Sequence, residues 1–124
     1  MGDDGHMART VVIVDDHPNF RASARAMLEL EGFDVVGEAA DGSSGVELVE
    51  RLEPELVLLD VSLPDLSGFE VARRLGPSSA DVVLVSSRDA PDYGSQAEQS
   101  GARGFIAKDK LSGRSLAELL GGER

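Results

Sequence analysis

Val11-Val12-Ile13-Val14-Asp15-Asp16-His17-Pro18 is the stretch that decides the fold. Four consecutive β-branched apolar residues favour an extended strand. An unbroken apolar run, in place of strict alternation, is how a strand reads when both of its faces are covered, as in a parallel sheet. Two carboxylates then close the strand, and Pro18 suits the first turn of a following helix.

Working outward, four further runs recur at similar intervals: Asp34-Val35-Val36-Gly37, Leu56-Val57-Leu58-Leu59, Val82-Val83-Leu84-Val85 and Phe105-Ile106-Ala107. The second run is the weakest and suits an edge strand. Helical stripes lie between the runs. Phe20, Ala24, Met27 and Leu28 share one face, with Gly32 as the stop. Val46, Val49 and Leu52 form a second stripe, with Asp41 or Ser43 as its cap. Phe69, Ala72 and Leu75 form a third, ended by Gly76-Pro77, and Leu116, Leu119 and Leu120 form the last. Residues 89–100 carry the weakest helix pattern: Pro91 suits a start, but Gly94 and the scarcity of apolar residues predict a short, exposed or mobile segment. Strands alternating with helices over short connections mean β-α-β units and an α/β sandwich, five strands and five helices filling the chain.

The 124 residues match one domain, large enough to bury a core without metal or disulfide staples. No cysteine is present, which excludes disulfides, thiolate metal sites and cysteine nucleophiles, and suits a reducing, cytoplasmic setting. No apolar run approaches the length that spans a bilayer, and Met1 to His6 does not read as a secretory signal. Residues 1–6 are expected to be a tag or disordered tail, with Met7 as the native start and residues 7–124 as the domain. A formal net charge of −11 argues against direct nucleic-acid binding, which needs a basic face.

In α/β sheets of this kind, ligands bind beyond the carboxyl ends of the strands. The residues that follow the runs are Asp15 and Asp16, then Asp60, then Ser86 and Ser87, then Lys108. A lone aspartate at a strand end is usually a cap or a solvated loop residue. Three carboxylates and a lysine converging on one edge are another matter, because unpaired like charges there repel by roughly 1–4 kcal/mol per pair. A cation removes that repulsion. With no cysteine, and with no imidazole expected in the cluster, hard oxygen ligands suit Mg2+. Beside a cation, one carboxylate can attack phosphorus, Lys108 can pair with the transferred oxygens, and the Ser86 hydroxyl can donate to another. The product is an aspartyl phosphate.

Four segments together resemble bacterial two-component response-regulator receiver domains. They are Val12-Ile13-Val14-Asp15-Asp16-His17-Pro18, Leu58 to Gly68 (Leu-Leu-Asp-Val-Ser-Leu-Pro-Asp-Leu-Ser-Gly), Val83-Leu84-Val85-Ser86-Ser87, and Gly101 to Lys108 (Gly-Ala-Arg-Gly-Phe-Ile-Ala-Lys). The resemblance runs from about residue 9 to residue 120. It implies a single flavodoxin-like, doubly wound, five-stranded parallel sheet in the order 2-1-3-4-5 with five helices. It implies Asp60 as phosphoacceptor; Asp15, Asp16, Asp60 and the backbone carbonyl of Ser62 as ligands of Mg2+; Ser86 as switch hydroxyl; Lys108 as phosphoryl partner; and Phe105 as switch aromatic. The implied partner is a sensor histidine kinase. A homodimer is a further expectation, through the fourth helix (89–100), fifth strand (105–107) and last helix, the α4-β5-α5 face. The implied function is a phosphorylation-dependent switch that catalyses only its own phosphorylation and dephosphorylation, with no membrane association.

The Asp-Asp-His-Pro start is most similar to the subfamily that usually carries a helix-turn-helix output domain for transcription regulation. No such segment is present, so the output is expected either on a longer chain or not at all. One departure stands out: many members have proline after the lysine, and here Asp109 follows Lys108, so a trans turn is expected. His17 is read as filling the turn before the first helix, and Ser87 as pointing away from the site. Arg88 and Ser62 flank the site and are read as gating water, and Tyr93 as a candidate partner-surface residue. Two rival readings stay open: an interaction module that works without phosphorylation, and an Mg2+-dependent phosphohydrolase. The second usually has another acid where Ser62 stands.

Overall fold

The computed structural model describes residues 9–87 and 93–121. The elements follow in strict alternation: β1 (Thr10–Val14), α1 (Pro18–Leu30), β2 (Asp34–Ala39), α2 (Gly42–Leu52), β3 (Leu56–Asp60), α3 (Gly68–Arg74), β4 (Asp81–Ser86), α4 (Gly94–Gln99), β5 (Gly104–Ala107), a 3-10 turn (Lys108–Lys110) and α5 (Gly113–Leu119). The five strands form one sheet, all neighbours parallel, in the order β2-β1-β3-β4-β5. The expected 2-1-3-4-5 arrangement is what the chain adopts, and β2, the weakest apolar run, lies at an edge. Between Val11 and Val12 the pairing skips a residue, with Val35 and then Gly37 opposite them. A bulge in an edge strand is a usual place for that irregularity.

Alternation along the strands divides the core in two. Val12, Val14, Val57, Leu59 and Leu84 face Val49 of α2, Val71 and Ala72 of α3 and Ala97 of α4. Val11, Ile13, Leu58, Val83 and Val85 face Ala24 and Leu28 of α1 and Leu116 of α5. Both faces of the central strands are therefore dry, and full burial of each such side chain stabilises by about 1.5–3 kcal/mol.

Most helix limits follow local rules. Pro18 opens α1, and Gly32, at φ +94°, lies just beyond its end. Of the two candidate caps for α2, Asp41 holds the position, accepting from the Ser44 amide at 2.8 Å. Ser112 and Ser115 form a reciprocal capping box at α5.

Two expectations need correction. The buried face of α2 is formed by Gly42, Gly45 and Val49, while Leu52 of the expected stripe is 38% exposed. The reason is close approach: a β-carbon on Gly45 would lie 2.8 Å from Val14 Cγ1, so glycine lets α2 press onto β1. The segment around the fourth helix is short, as expected, but it is not simply exposed. Ala97 and Ser100 are buried, and Gly94 is the first helical residue, where it does little harm. The proposed start at Pro91 lies outside the described residues.

Candidate functional site

The carboxyl ends of β1, β3, β4 and β5 meet at one edge. Parallel pairing sets Val14 beside Leu59, Asp60 beside Val85, and Ser86 beside Ala107, so the residues that follow these strands are neighbours in space. Asp15 is wholly buried. Its two oxygens have different partners. Oδ1 accepts from the His17 amide at 2.8 Å and lies 2.9 Å from His17 Nδ1. Oδ2 lies 2.7 Å from Lys108 Nζ, an ion pair at an angle that does not make a hydrogen bond. Asp16, more exposed, places Oδ1 3.2 Å from the same imidazole nitrogen.

Asp60 is 3% exposed. Its Oδ1 accepts from the Ser62 amide at 3.2 Å, and its Oδ2 has no hydrogen-bond partner, with Lys108 Nζ 3.5 Å away. Burial pushes the Asp60 carboxyl up from 3.8 to about 6, and the nearby Asp15 charge adds to the rise. Lys108, the Ser62 amide and His17 oppose it more weakly. Ser86 is buried as well, and its Oγ has no hydrogen-bond partner. Buried polar atoms left without partners are costly and uncommon. Here they lie with an acidic cluster at the edge where this kind of sheet takes its ligands.

The cluster suits a divalent cation. Carboxylate oxygens of Asp15, Asp16 and Asp60 and a nitrogen of His17 all lie within 4.8 Å of one another. Asp15, Asp16, Asp60 and Lys108 thus come together at the predicted edge, and Ser86 stands on the neighbouring strand, one residue past Val85, the pairing partner of Asp60. The exception is His17, expected only to fill a turn. It occupies the N-cap of α1 without making a side-chain cap bond, and its ring turns into the acids. The expectation of a cluster free of imidazole is corrected accordingly: the ring follows Asp16 directly, and the turn into α1 swings it over the strand ends.

Ser62 is exposed, and its amide serves Asp60. Ser87 is exposed while Ser86 is buried, in keeping with their opposite orientations. Phe105 is half-buried on the α4 side of the sheet, 5.9 Å edge-to-face from Tyr93, which in turn packs edge-to-face on Phe69 at 5.3 Å. Tyr93 is therefore the middle of an aromatic row and not a lone surface ring. After Lys108 the chain makes its 3-10 turn, and no cis peptide bond occurs among the described residues. Lys108 also lies over the Phe20 ring, 4.5 Å from its centre, which holds the ammonium from the α1 side. Arg88 lies outside the described residues.

Sequence reasoning missed two supporting residues. Arg21, one turn into α1, donates to the Asp15 carbonyl at 2.6 Å and to Glu38 at 3.0 Å, fixing the loop that carries the paired acids. Asp65 reaches across to accept from the Gly42 and Ser43 amides at 2.7 and 2.9 Å. Those bonds lower its carboxyl to about 2. Arg21 could have been found from its place four residues after His17. Asp65 leaves no local trace, because its partners are more than twenty residues away.

With this geometry established, comparison with known proteins decides the family. The response regulator receiver domain model matches residues 11–119. The chain belongs to the response-regulator receiver family. It is 42% identical over 102 residues to the transcriptional regulatory protein NarL of Mycobacterium tuberculosis, covering 80% of this chain and 47% of that protein. It is 33% identical over 110 residues to the DNA-binding transcriptional activator EvgA of Escherichia coli, covering 87% and 54%. The chain thus spans about half the length of these relatives. Among solved structures, the receiver domain of the Mycobacterium tuberculosis NarL superposes with a TM-score of 0.81 at 35% identity, covering 94% of this chain and 99% of that one. A Borrelia burgdorferi CheX–CheY complex gives 0.83 at 22% identity, which supports the fold alone. The domain is a receiver of two-component, phosphorylation-dependent signalling, a signalling module in place of a conventional enzyme. No helix among the described residues is long and apolar enough to cross a membrane.

Proposed function

We propose that Asp60 of this receiver accepts a phosphoryl group from the phosphohistidine of a sensor histidine kinase, in a reaction that needs Mg2+. The observation that carries the reading is the buried, hydrogen-bond-free Oδ2 of Asp60 set among Asp15, Asp16 and Lys108. Asp15, Asp16 and Asp60, with the Ser62 carbonyl, would hold the ion, whose charge offsets repulsion between the carboxylate and the incoming phosphoryl oxygens.

The chain's own residues do the rest. An Asp60 carboxylate oxygen attacks phosphorus; the O–P bond forms as the P–N bond to the donor imidazole breaks, and the bonding pair returns to that ring. Lys108 is already between Asp15 and Asp60, and can follow the new negative charge. The Ser86 hydroxyl, with no partner to give up, turns to donate to a phosphoryl oxygen. Its shift opens space beside Phe105, and the α4-β5-α5 face changes with it. That face is the proposed site of homodimerisation or partner binding, and nucleic-acid contact, as in the DNA-binding relative EvgA, is left to a separate output domain. The same reading places the protein in the cytoplasm, and leaves autophosphorylation and dephosphorylation as its own chemistry. Residues 1–6 remain the proposed tag or tail.

Incubation with Mg2+ and a small phosphodonor, followed by intact mass, tests this. One phosphoryl addition is expected, lost when EDTA is present and absent from Asp60→Asn. An addition that persists in that variant overturns the assignment.

A further inference from the structure

The cluster holds one group that the proposed Mg2+ centre does not use. We infer that His17 is a metal ligand of this site and makes it a mixed nitrogen–oxygen centre, one that selects a borderline divalent transition ion such as Co2+, Ni2+ or Zn2+ over Mg2+. The inference rests on the reading of Asp15, Asp16 and Asp60 as a metal centre.

Three observations carry it. First, the ring does no work for its own helix. His17 is the N-cap residue of α1, yet its side chain makes no cap bond and is 62% exposed; its orientation is set by the acids, with Nδ1 at hydrogen-bond distance from Asp15 Oδ1. Second, Nδ1 lies 2.9 Å from Asp15 Oδ1, 3.2 Å from Asp16 Oδ1 and 3.9 Å from Asp60 Oδ2. An ion about 2.1 Å from each donor in an octahedral array sets adjacent donors about 3.0 Å apart and opposite donors about 4.2 Å apart. The nitrogen therefore already stands at ligand spacing from oxygens on both strand ends. Third, Asp60 Oδ2 is buried without a hydrogen-bond partner, a donor directed at the same space.

Lys108 borders that space: its Nζ lies 2.7 Å from Asp15 Oδ2 and 3.5 Å from both Asp60 Oδ2 and His17 Nδ1, so a cation held between the imidazole and the acids moves the ammonium back toward Asp15 Oδ2. Imidazole nitrogen is a softer donor than carboxylate or water. It suits the later first-row ions, whereas Mg2+ prefers oxygen and sheds its waters reluctantly. One such ligand is enough to tilt the preference among divalent ions.

The test is titration of the protein with Co2+ alone and with Mg2+ alone, with proton NMR of the Co2+ form. Direct ligation through Nδ1 is expected to give a hyperfine-shifted, non-exchangeable imidazole Cδ2–H resonance, which the exposure of the ring to water does not remove. In His17→Gln that resonance is expected to vanish, and the ratio of Co2+ to Mg2+ affinity to fall by about tenfold or more. The resonance is read in the unaltered protein, so the result does not depend on the variant. Co2+ binding with no shifted imidazole resonance, or one that survives in His17→Gln, overturns the role of His17 while Mg2+ binding leaves the proposed centre standing. Binding of neither ion overturns both.

Discussion

At the scale of single residues, the site turns on Asp60, whose carboxyl is held where burial disfavours its ionisation. Its carboxyl rises from 3.8 to about 6 through burial and the Asp15 charge, so the folded state prefers it protonated. For a raised carboxyl, the stabilising contribution is complete below pH 3.8 and is lost as pH climbs through 6. At pH 7 the native protein therefore carries an ionised, poorly solvated carboxylate. Asp60→Asn is expected to be more stable than the parent at pH 7 by about 3 kcal/mol, and the difference should disappear below pH 4. Urea denaturation of both proteins in metal-free buffer at pH 7 and near pH 3.5 measures it. Saturating Mg2+ should narrow the gap by binding the native parent more tightly than the variant. A variant that is less stable at pH 7 would mean that Lys108 outweighs burial and Asp15 together.

At the scale of elements, small residues and remote caps set how closely helices meet the sheet. Gly45 lies where α2 crosses β1, and a β-carbon there would stand 2.8 and 2.9 Å from the Val14 methyl groups. Those methyls belong to a fully buried residue and cannot swing away, so Gly45→Val is expected to cost about 1–3 kcal/mol by overpacking. Thermal or chemical denaturation at neutral pH gives the value. Asp65 acts in the opposite sense, tying the segment after β3 to the start of α2 through the Gly42 and Ser43 amides. Its carboxyl is lowered to about 2, so its contribution is complete above pH 3.8 and fades as pH falls through 2. Asp65→Asn keeps one carbonyl acceptor but turns an amide NH2 toward the other N–H. Its melting temperature should fall below the parent's at pH 7, and the two should converge as pH approaches 2. These two elements also mark what the sequence could disclose. The β-branched run at residues 11–14 and the acids after it made strand, sheet type and site edge readable, because parallel strands fix which residues follow them. Gly45 was not readable as a contact, since a helical stripe is counted from apolar residues and a glycine in it looks like a gap. Asp65 was not readable because its bonds are tertiary, and His17 because a residue in a turn has no periodicity to say which way its ring will face.

At the scale of the whole molecule, the question is how an event at Asp60 reaches the opposite side of β4 and β5. Asp60 and Val85 are paired neighbours, Ser86 follows Val85, and Leu84 pairs with Phe105. The path from the acids to the α4 side thus crosses only two strands. On that side Phe105, Tyr93 and Phe69 stand in an edge-to-face row that joins β5, the start of α4 and α3. Edge-to-face pairs prefer defined spacings, so displacement of Phe105 obliges Tyr93 to follow or to lose about 0.5–1.5 kcal/mol of contact. Tyr93 is the only tyrosine, and the chain has no tryptophan, so its emission is an intrinsic report on this row. Addition of Mg2+ and a small phosphodonor is expected to change the Tyr93 fluorescence on the same time course as the mass increase. Asp60→Asn should show no change. Ser86→Ala should gain the phosphoryl mass but give a reduced fluorescence response, because the hydroxyl proposed to couple the site to Phe105 is missing. A full response in Ser86→Ala would place the coupling elsewhere, through Lys108 and the turn into α5. A silent tyrosine in the phosphorylated parent would mean that the aromatic row does not move with the site.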